Sequence, residues 1–282
     1  MRHLTATSML TPALLLVVVF LLMPLAVLLR YSFNAYVPGQ FMVDAFTGAN
    51  YLAALSDPYY RGVLATTVMV AIGVTVICLA LGFPIAHFLA RTTSRFKSLM
   101  ILAVIMPLFV GNAVRAAGWM VALGQQGMFN KVMLSLGLID TPLEIMYTTT
   151  AVVVGIVAVN LPFVVLTLQS VLEGLNPSVE DASQSLGATP FETWRLVTLP
   201  QAMPGVLAAT VLSLILTMNA YATPVLLGGP GFQMMAPVLA DEIMAKNNWP
   251  MGASLAFVLI LFTLALTVLT HWWLMGRKPA PT

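Results

Sequence analysis

The chain has 282 residues, 60% of them hydrophobic and 8% charged, a balance that a soluble domain with a solvated surface does not sustain. Its net charge of +2 is too small and too scattered to make nucleic acid or an anionic surface the main partner. The single Cys78 excludes a disulfide within the chain and, mid-way along an apolar run, reads as helix packing in place of a reactive thiol.

A spanning helix rises about 1.5 Å per residue, so a hydrocarbon layer of roughly 30 Å takes about 20 mostly uncharged residues. Six segments meet that length. The first, residues 9–29, follows Arg2 and His3 in the manner of a signal peptide. Its apolar run is too long and no small-x-small cleavage site follows, so it is expected to stay as a helix. An outer loop over 31–61 leads to the second span, 62–90, and a tight inner turn, 91–97, leads to the third, 99–124. A second outer loop, 125–146, precedes the fourth span, 147–172, and an inner polar stretch precedes the fifth, 203–227. The outer segment 228–250 then leads to the sixth, 251–275. Within it Gly228-Gly-Pro-Gly231 breaks regular structure, after which Val238, Leu239, Ile243 and Met244 share one helical face with Asp241 and Glu242 on the other. That pattern predicts a short surface helix packed on its own bundle. With no room for a soluble domain, the chain reads as one all-α integral membrane domain of six transmembrane helices.

Lys and Arg resist translocation, so their distribution over short loops sets orientation. With the N-terminus inside, Arg2, Arg91, Arg95, Lys97, Arg195, Arg277 and Lys278 face the cytoplasm. Arg30, Arg61, Lys131 and Lys246 face out, and Arg115 lies inside a span. Seven against four predicts that both termini, and residues 174–202, are cytoplasmic.

Residues 178–200 form a patterned polar stretch between two apolar runs. They read as two short helices. Ser178 is expected to cap the first, with Glu180 and Asp181 near its positive end. Gly187 and Pro190 turn the chain, Phe191, Trp194, Leu196 and Leu199 make an apolar face, and Pro200 is expected to halt the second helix. In pattern the stretch is acidic-Ala-small (Asp181, Ala182, Ser183), three residues, Gly187, nine residues, Val197, one residue, then Leu199-Pro200. This resembles the EAA loop of ABC importer permeases, with Asp181 where that family usually has Glu and Ser183 where it usually has the second Ala. The resemblance implies that Glu180, Asp181, Ala182, Ser183, Gly187, Ala188, Thr189, Leu199 and Pro200 dock on a cytoplasmic ATPase.

The likeness extends over almost the whole chain. Val114-Arg-Ala-Ala-Gly-Trp119, Leu123-Gly-Gln-Gln-Gly-Met-Phe-Asn130, Leu136-Gly-Leu-Ile-Asp-Thr-Pro142, Asn160-Leu-Pro-Phe163 and Pro224-Val-Leu-Leu-Gly-Gly229 are similar to runs in permeases of spermidine/putrescine-type importers. It implies the MetI-like type I fold in a bacterial inner membrane. The implied assembly has two permease subunits, a second and different chain being the commoner arrangement and a homodimer the other. Two copies of an ABC ATPase and a periplasmic solute-binding protein complete it. Related permeases for ferric iron, thiamine, opines or phosphonates share the scaffold, so a polyamine is the leading expectation among these solutes. No Gly-x4-Gly-Lys-Ser/Thr loop is present, so ATP and Mg belong to the partner ATPase and this chain is expected to bind no cofactor.

The polar residues within spans are the candidates for a path or gate. Arg115, with Asn112 before it and Trp119 after it, falls about 24 Å from the inner end if counted along a straight helix from Leu99. It suits a gate or subunit interface better than cargo contact, since a lone cation repels a polyamine. Asn160, Gln169, Asn219, Tyr221 and Thr223 either line the path or hydrogen-bond between helices. His87 and His271 lie near inner helix ends, and the Met residues are scattered as core filling, so neither a metal site nor a catalytic group is expected. No Asp or Glu lies within a span, which argues against the other transporter class considered, an ion- or proton-coupled carrier. The outer loops carry Asp44, Asp57, Asp140, Glu144, Asp241 and Glu242 against four cations, a weak lean toward cationic cargo.

Overall fold

A computed structural model of the protein describes residues 2–275. Arg277 and Lys278, counted above as inner cations, lie outside the described residues, as does the side chain of Arg2. The chain divides into two compact units, one comprising the residues up to Gly62 with Val238–Leu261, the other Val63–Pro237 with the residues from Phe262 on.

The first unit opens with helix α1 (Arg2–Ser32), only 6% of whose most apolar window is buried. Its C-terminal carbonyls are closed by side chains: the Ser32 hydroxyl donates to the Leu29 carbonyl at 2.7 Å, and Asn50 Nδ2 donates to the carbonyls of Ser32 and Asn34 at 2.9 and 2.8 Å. A hairpin of β1 (Ala35–Val37) and β2 (Phe41–Val43) follows. Its turn carries Pro38 and then Gly39 at φ +88, with Gln40 N donating to the Val37 carbonyl, the type II arrangement that a Pro-Gly pair favours. Helix α2 (Ala49–Ser56) then reaches Asp57, whose carboxylate accepts from Tyr59 N at 2.8 Å and starts α3 (Pro58–Arg91).

The second unit is built on α7 (Thr149–Glu173), capped by Thr148 and half buried over its apolar window. It follows α4 (Lys97–Ile105), a 3-10 turn (Met106–Phe109), α5 (Asn112–Leu123) and α6 (Met128–Ser135). After it come α8 (Pro177–Ser185), α9 (Pro190–Thr193), a π turn (Trp194–Thr198), α10 (Leu199–Gln201), α11 (Met203–Met218) and α12 (Ala222–Leu227). The last described helices, α13 (Met235–Met244) and α14 (Trp249–Met275), are each divided between the two units. The core joins Val74, Cys78 and Ala86 of α3 to Ile156, Val164, Leu168 and Leu172 of α7 and Ala209 of α11, so Cys78 is a packing residue. Lipid is as apolar as these side chains, so close approach and polar contacts hold the helices together. A Cβ at Gly155 of α7 would fall 2.5 Å from Leu227 and 2.7 Å from Thr223 of α12.

Among the described residues four helices are long and apolar enough to cross a membrane, or up to six spans if each of two bent pairs counts as one. The third expected span is one of these pairs: it bends by 98° between the 3-10 turn and α5, where Pro107 and Gly111 interrupt the ladder. The straight-helix depth of Arg115 is therefore corrected. The fifth span ends as a regular helix at Met218, with Asn219 and Ala220 outside any helix before α12. In α13 the expected face is also corrected. Glu242 is 2% exposed and Met244 is 78% exposed, because Tyr60 Oη and Lys246 Nζ meet the Glu242 carboxylate at 2.8 and 2.7 Å and compensate its burial.

Candidate functional site

The segment 176–202 begins with Asn176, whose side chain accepts from Ser178 N at 3.1 Å and caps α8, the role expected of Ser178. Gly187, at φ +91 with open space around its Cα, reverses the chain, a conformation that L side chains rarely adopt. Thr189 and Glu192 then form a reciprocal capping box for α9, at 2.7 and 3.3 Å. The hydroxyls of Ser183 and Thr193, 3.2 Å apart, tie the two helices together. Pro200 does not halt the second helix as expected. The helical path runs on to Gln201 and turns by 71° into α11, with a widened π turn just ahead of the proline, where a ring and a missing N–H would strain a tighter one.

The surface of this segment is divided. Asp181, Ala182, Gly187, Thr189 and Pro200 are exposed, Ser183, Ala188 and Leu199 half-buried. Leu186, Phe191 and Leu196 present large apolar side chains at 90%, 65% and 69% exposure, Leu186 outside the candidate spans and the other two in the first arm of the bent pair Pro190–Gln201 with Met203–Met218. Exposed apolar side chains of this size make the segment a candidate surface for a partner. Glu180, grouped above with the docking residues, turns inward. Burial by itself raises its carboxyl, but hydrogen bonds from Arg91 and Thr198 outweigh this and hold it below the usual carboxylate range. Arg91, read above only as an orienting charge, and Leu186, read as a spacer, are the residues the sequence reading missed. An isolated Leu in front of the turn glycine of a polar helix was the available signal.

The second feature is a cavity of about 640 Å³. Its walls include both interruptions, Val110, Gly111 and Asn112 at the first and Asn219, Ala220 and Tyr221 at the second. Within a bilayer, irregular backbone is tolerated where it is buried in protein or lines a cavity, and these two interruptions line one. Six of the polar candidates line this space: Asn112, Arg115, Asn160, Asn219, Tyr221 and Thr223. Arg115 donates to Asn112 Oδ1, while its Nε and Nη1 are buried without a partner among the described residues. Asn160 Nδ2 donates to Thr217 Oγ1 at 2.8 Å and so both packs and lines. Trp119 and Gln169 lie elsewhere: Trp119 packs on the core, and Gln169 donates to Glu173 at 3.2 Å. No carboxylate lines the cavity, and among the described residues no group of His, Cys, Asp and Glu is placed to hold a metal.

Residues 78–274 match the family model of the binding-protein-dependent transport system inner membrane component. The chain belongs to that family. This binding-protein-dependent permease is thus a transport subunit of an ABC importer, not an enzyme. The spermidine/putrescine transport system permease protein PotB of Escherichia coli (strain K12) is 32% identical over 255 residues, 90% of this chain and 92% of that protein. PotB of Haemophilus influenzae is 30% identical over 262 residues, 92% of this chain and 91% of that protein. In fold, the permease is similar to a chain of a bacterial ABC transporter that imports alginate, with a TM-score of 0.76 at 15% identity over 99% of this chain and 97% of that one. It is also similar to a chain of the MetNI methionine transporter, with a TM-score of 0.60 at 16% identity over 80% and 100%. Both are ABC transporters, which accords with a type I importer permease fold.

Proposed function

We propose that this permease carries a polyamine, putrescine or spermidine, across the bacterial inner membrane. It does so as one of two permease subunits, the other a different chain, with two copies of a separate ABC ATPase and a periplasmic binding protein that delivers the solute. The observation that carries the reading is the match to PotB proteins along nine-tenths of the chain. Both termini and residues 174–202 lie in the cytoplasm, where Leu186, Phe191 and Leu196 meet the ATPase, and ATP and Mg are bound there and not by this chain. Closure of the ATPase pair draws the docking segments together and opens the path outward; hydrolysis returns it inward.

Among the residues that line the cavity, Tyr221 has a ring that suits an ammonium group, and Arg115 donates to Asn112 Oδ1. The test is uptake of radiolabelled putrescine by proteoliposomes that contain the whole importer, expected to require ATP and the binding protein. Absence of uptake while another solute enters would overturn the substrate. One observation favours a second solute class: Arg115 is the one charged residue in the cavity lining, and a guanidinium suits a carboxylate, as an opine has. Arg115→Gln separates the two, since it spares putrescine uptake and abolishes that of a carboxylate-bearing solute.

A further inference from the structure

We propose that Glu180 is a positioning residue of power transmission: with Arg91 and Thr198 it fastens the ATPase-docking segment to the inner end of α3, so that displacement of the segment becomes displacement of that helix. The inference rests on the docking reading of residues 178–200 and gives a role to side chains that do not touch the ATPase. Arg91 is the last residue of α3. Its Nη2 and Nε donate to the two carboxylate oxygens of Glu180 at 2.8 and 3.2 Å, and its Nη1 donates to the Leu175 carbonyl at 3.2 Å. The Thr198 hydroxyl, in the π turn and 2% exposed with its residue, donates to the same carboxylate at 3.0 Å. One carboxylate thereby joins α3, α8 and the turn that leads into α11. A bidentate guanidinium–carboxylate pair fixes orientation as well as distance. These side chains are 20% and 14% exposed, so water competes little.

A second grip lies deeper on α3. Trp194 of the π turn meets Phe83 edge to face, with ring centroids 5.7 Å apart and planes at 85°. Phe83 and Arg91 are separated by about 12 Å along the helix axis. A helix held at one point pivots there; a helix held at two points follows both the shift and the tilt of whatever holds it. Asp181 and Leu186, exposed on the same segment, remain free for the partner.

The test uses the whole importer in proteoliposomes. ATP hydrolysis and putrescine uptake are measured in one sample, and spin labels at Ser185→Cys and Thr93→Cys report the α8–α3 distance with and without Mg-ATP whatever solute is carried. Glu180→Gln is expected to keep the ATPase on co-purification, to lower uptake per ATP by about fivefold, and to let the label distance change on Mg-ATP binding where the parent protein holds it constant. Arg91→Glu with Glu180→Arg is expected to restore the fixed distance. An unchanged distance in Glu180→Gln overturns the proposal, and so does loss of the ATPase by that variant at normal membrane levels, which makes Glu180 a docking contact. If Glu180→Gln does not accumulate, Thr198→Val carries the same expectation and the same refutation. Failure of the docking reading shows separately, as undiminished ATPase retention by Gly187→Glu.

Discussion

Leu186 offers the sharpest measurement of the docking surface. It ends α8 immediately before the turn at Gly187 and keeps 90% of its surface exposed outside any apolar span. Truncation in Leu186→Ala removes an isobutyl group down to a methyl. At about 0.8 kcal/mol per buried CH2, and with nearly the whole side chain available to be covered, docking loses about 2 kcal/mol. That corresponds to about a thirtyfold rise in Kd. The permease itself loses no buried contact, so its own stability moves by no more than about 0.5 kcal/mol. The assay is titration of fluorescently labelled ATPase onto the permease pair in nanodiscs, followed by anisotropy. Leu264→Ala is the control, 60% exposed but on the apolar span α14, and leaves Kd unchanged. A change of less than about threefold for Leu186→Ala would refute the view that this side chain is buried by the ATPase.

Other outcomes follow from contacts within each unit. Gly155→Ala places a Cβ 2.5 Å from Leu227 and 2.7 Å from Thr223 and is expected to cost about 1–3 kcal/mol, read as a lower unfolding midpoint in detergent, while Gly73→Ala, with open space around it, leaves the midpoint in place. The Glu180 carboxyl titrates below its ordinary value of 4.5 in the folded protein, so its contribution to stability is complete above 4.5 and is lost as the pH falls through the lower folded value. Midpoints followed from neutral to acid pH are expected to fall less steeply in Glu180→Gln over that window. Lys246→Met strips the Glu242 carboxylate of its cation and leaves it with Tyr60. Because Lys246 is 51% exposed the loss is expected to be about 1 kcal/mol, and Glu242→Gln in the same chain recovers part of it.

What was legible in the sequence was what lipid or a local spacing dictates. The length of an apolar run follows from bilayer thickness, and the docking pattern lies within one short stretch, so both are visible without a structure. Helix breaks were not, because proline alone does not decide them: Pro84 and Pro162 sit inside the continuous helices α3 and α7, whereas Pro107 lies at a 98° bend where Gly111 and Asn112 follow closely. The inward turn of Glu180 depends on Arg91, 89 residues away, and the burial of Glu242 on Tyr60, 182 residues away. Amphipathic reasoning places a carboxylate outward by default. Only a distant partner that satisfies it reverses that placement.

The same contrast between continuous and broken helices ties the two sites together. Thr75 of α3 donates to Ser213 Oγ at 3.1 Å, and Asn160 of α7 donates to Thr217 Oγ1 of α11, so three helices are pinned by polar contacts where the alternative is a bare donor in hydrocarbon. These helices form one block, and residues 176–202 are held at one end of it through Arg91 of α3, the loop after α7 and the turn into α11. The cavity lies between that block, represented by Ile156 and Asn160, and the two interruptions at 110–112 and 219–221. Backbone at the interruptions lacks the regular ladder that stiffens the block, so under the docking proposal a displacement of residues 176–202 is expected to be taken up at the breaks. Those breaks are the cavity wall. On the proposal that this cavity is the path, its shape is expected to change where irregular backbone lines it, and no carboxylate lines it.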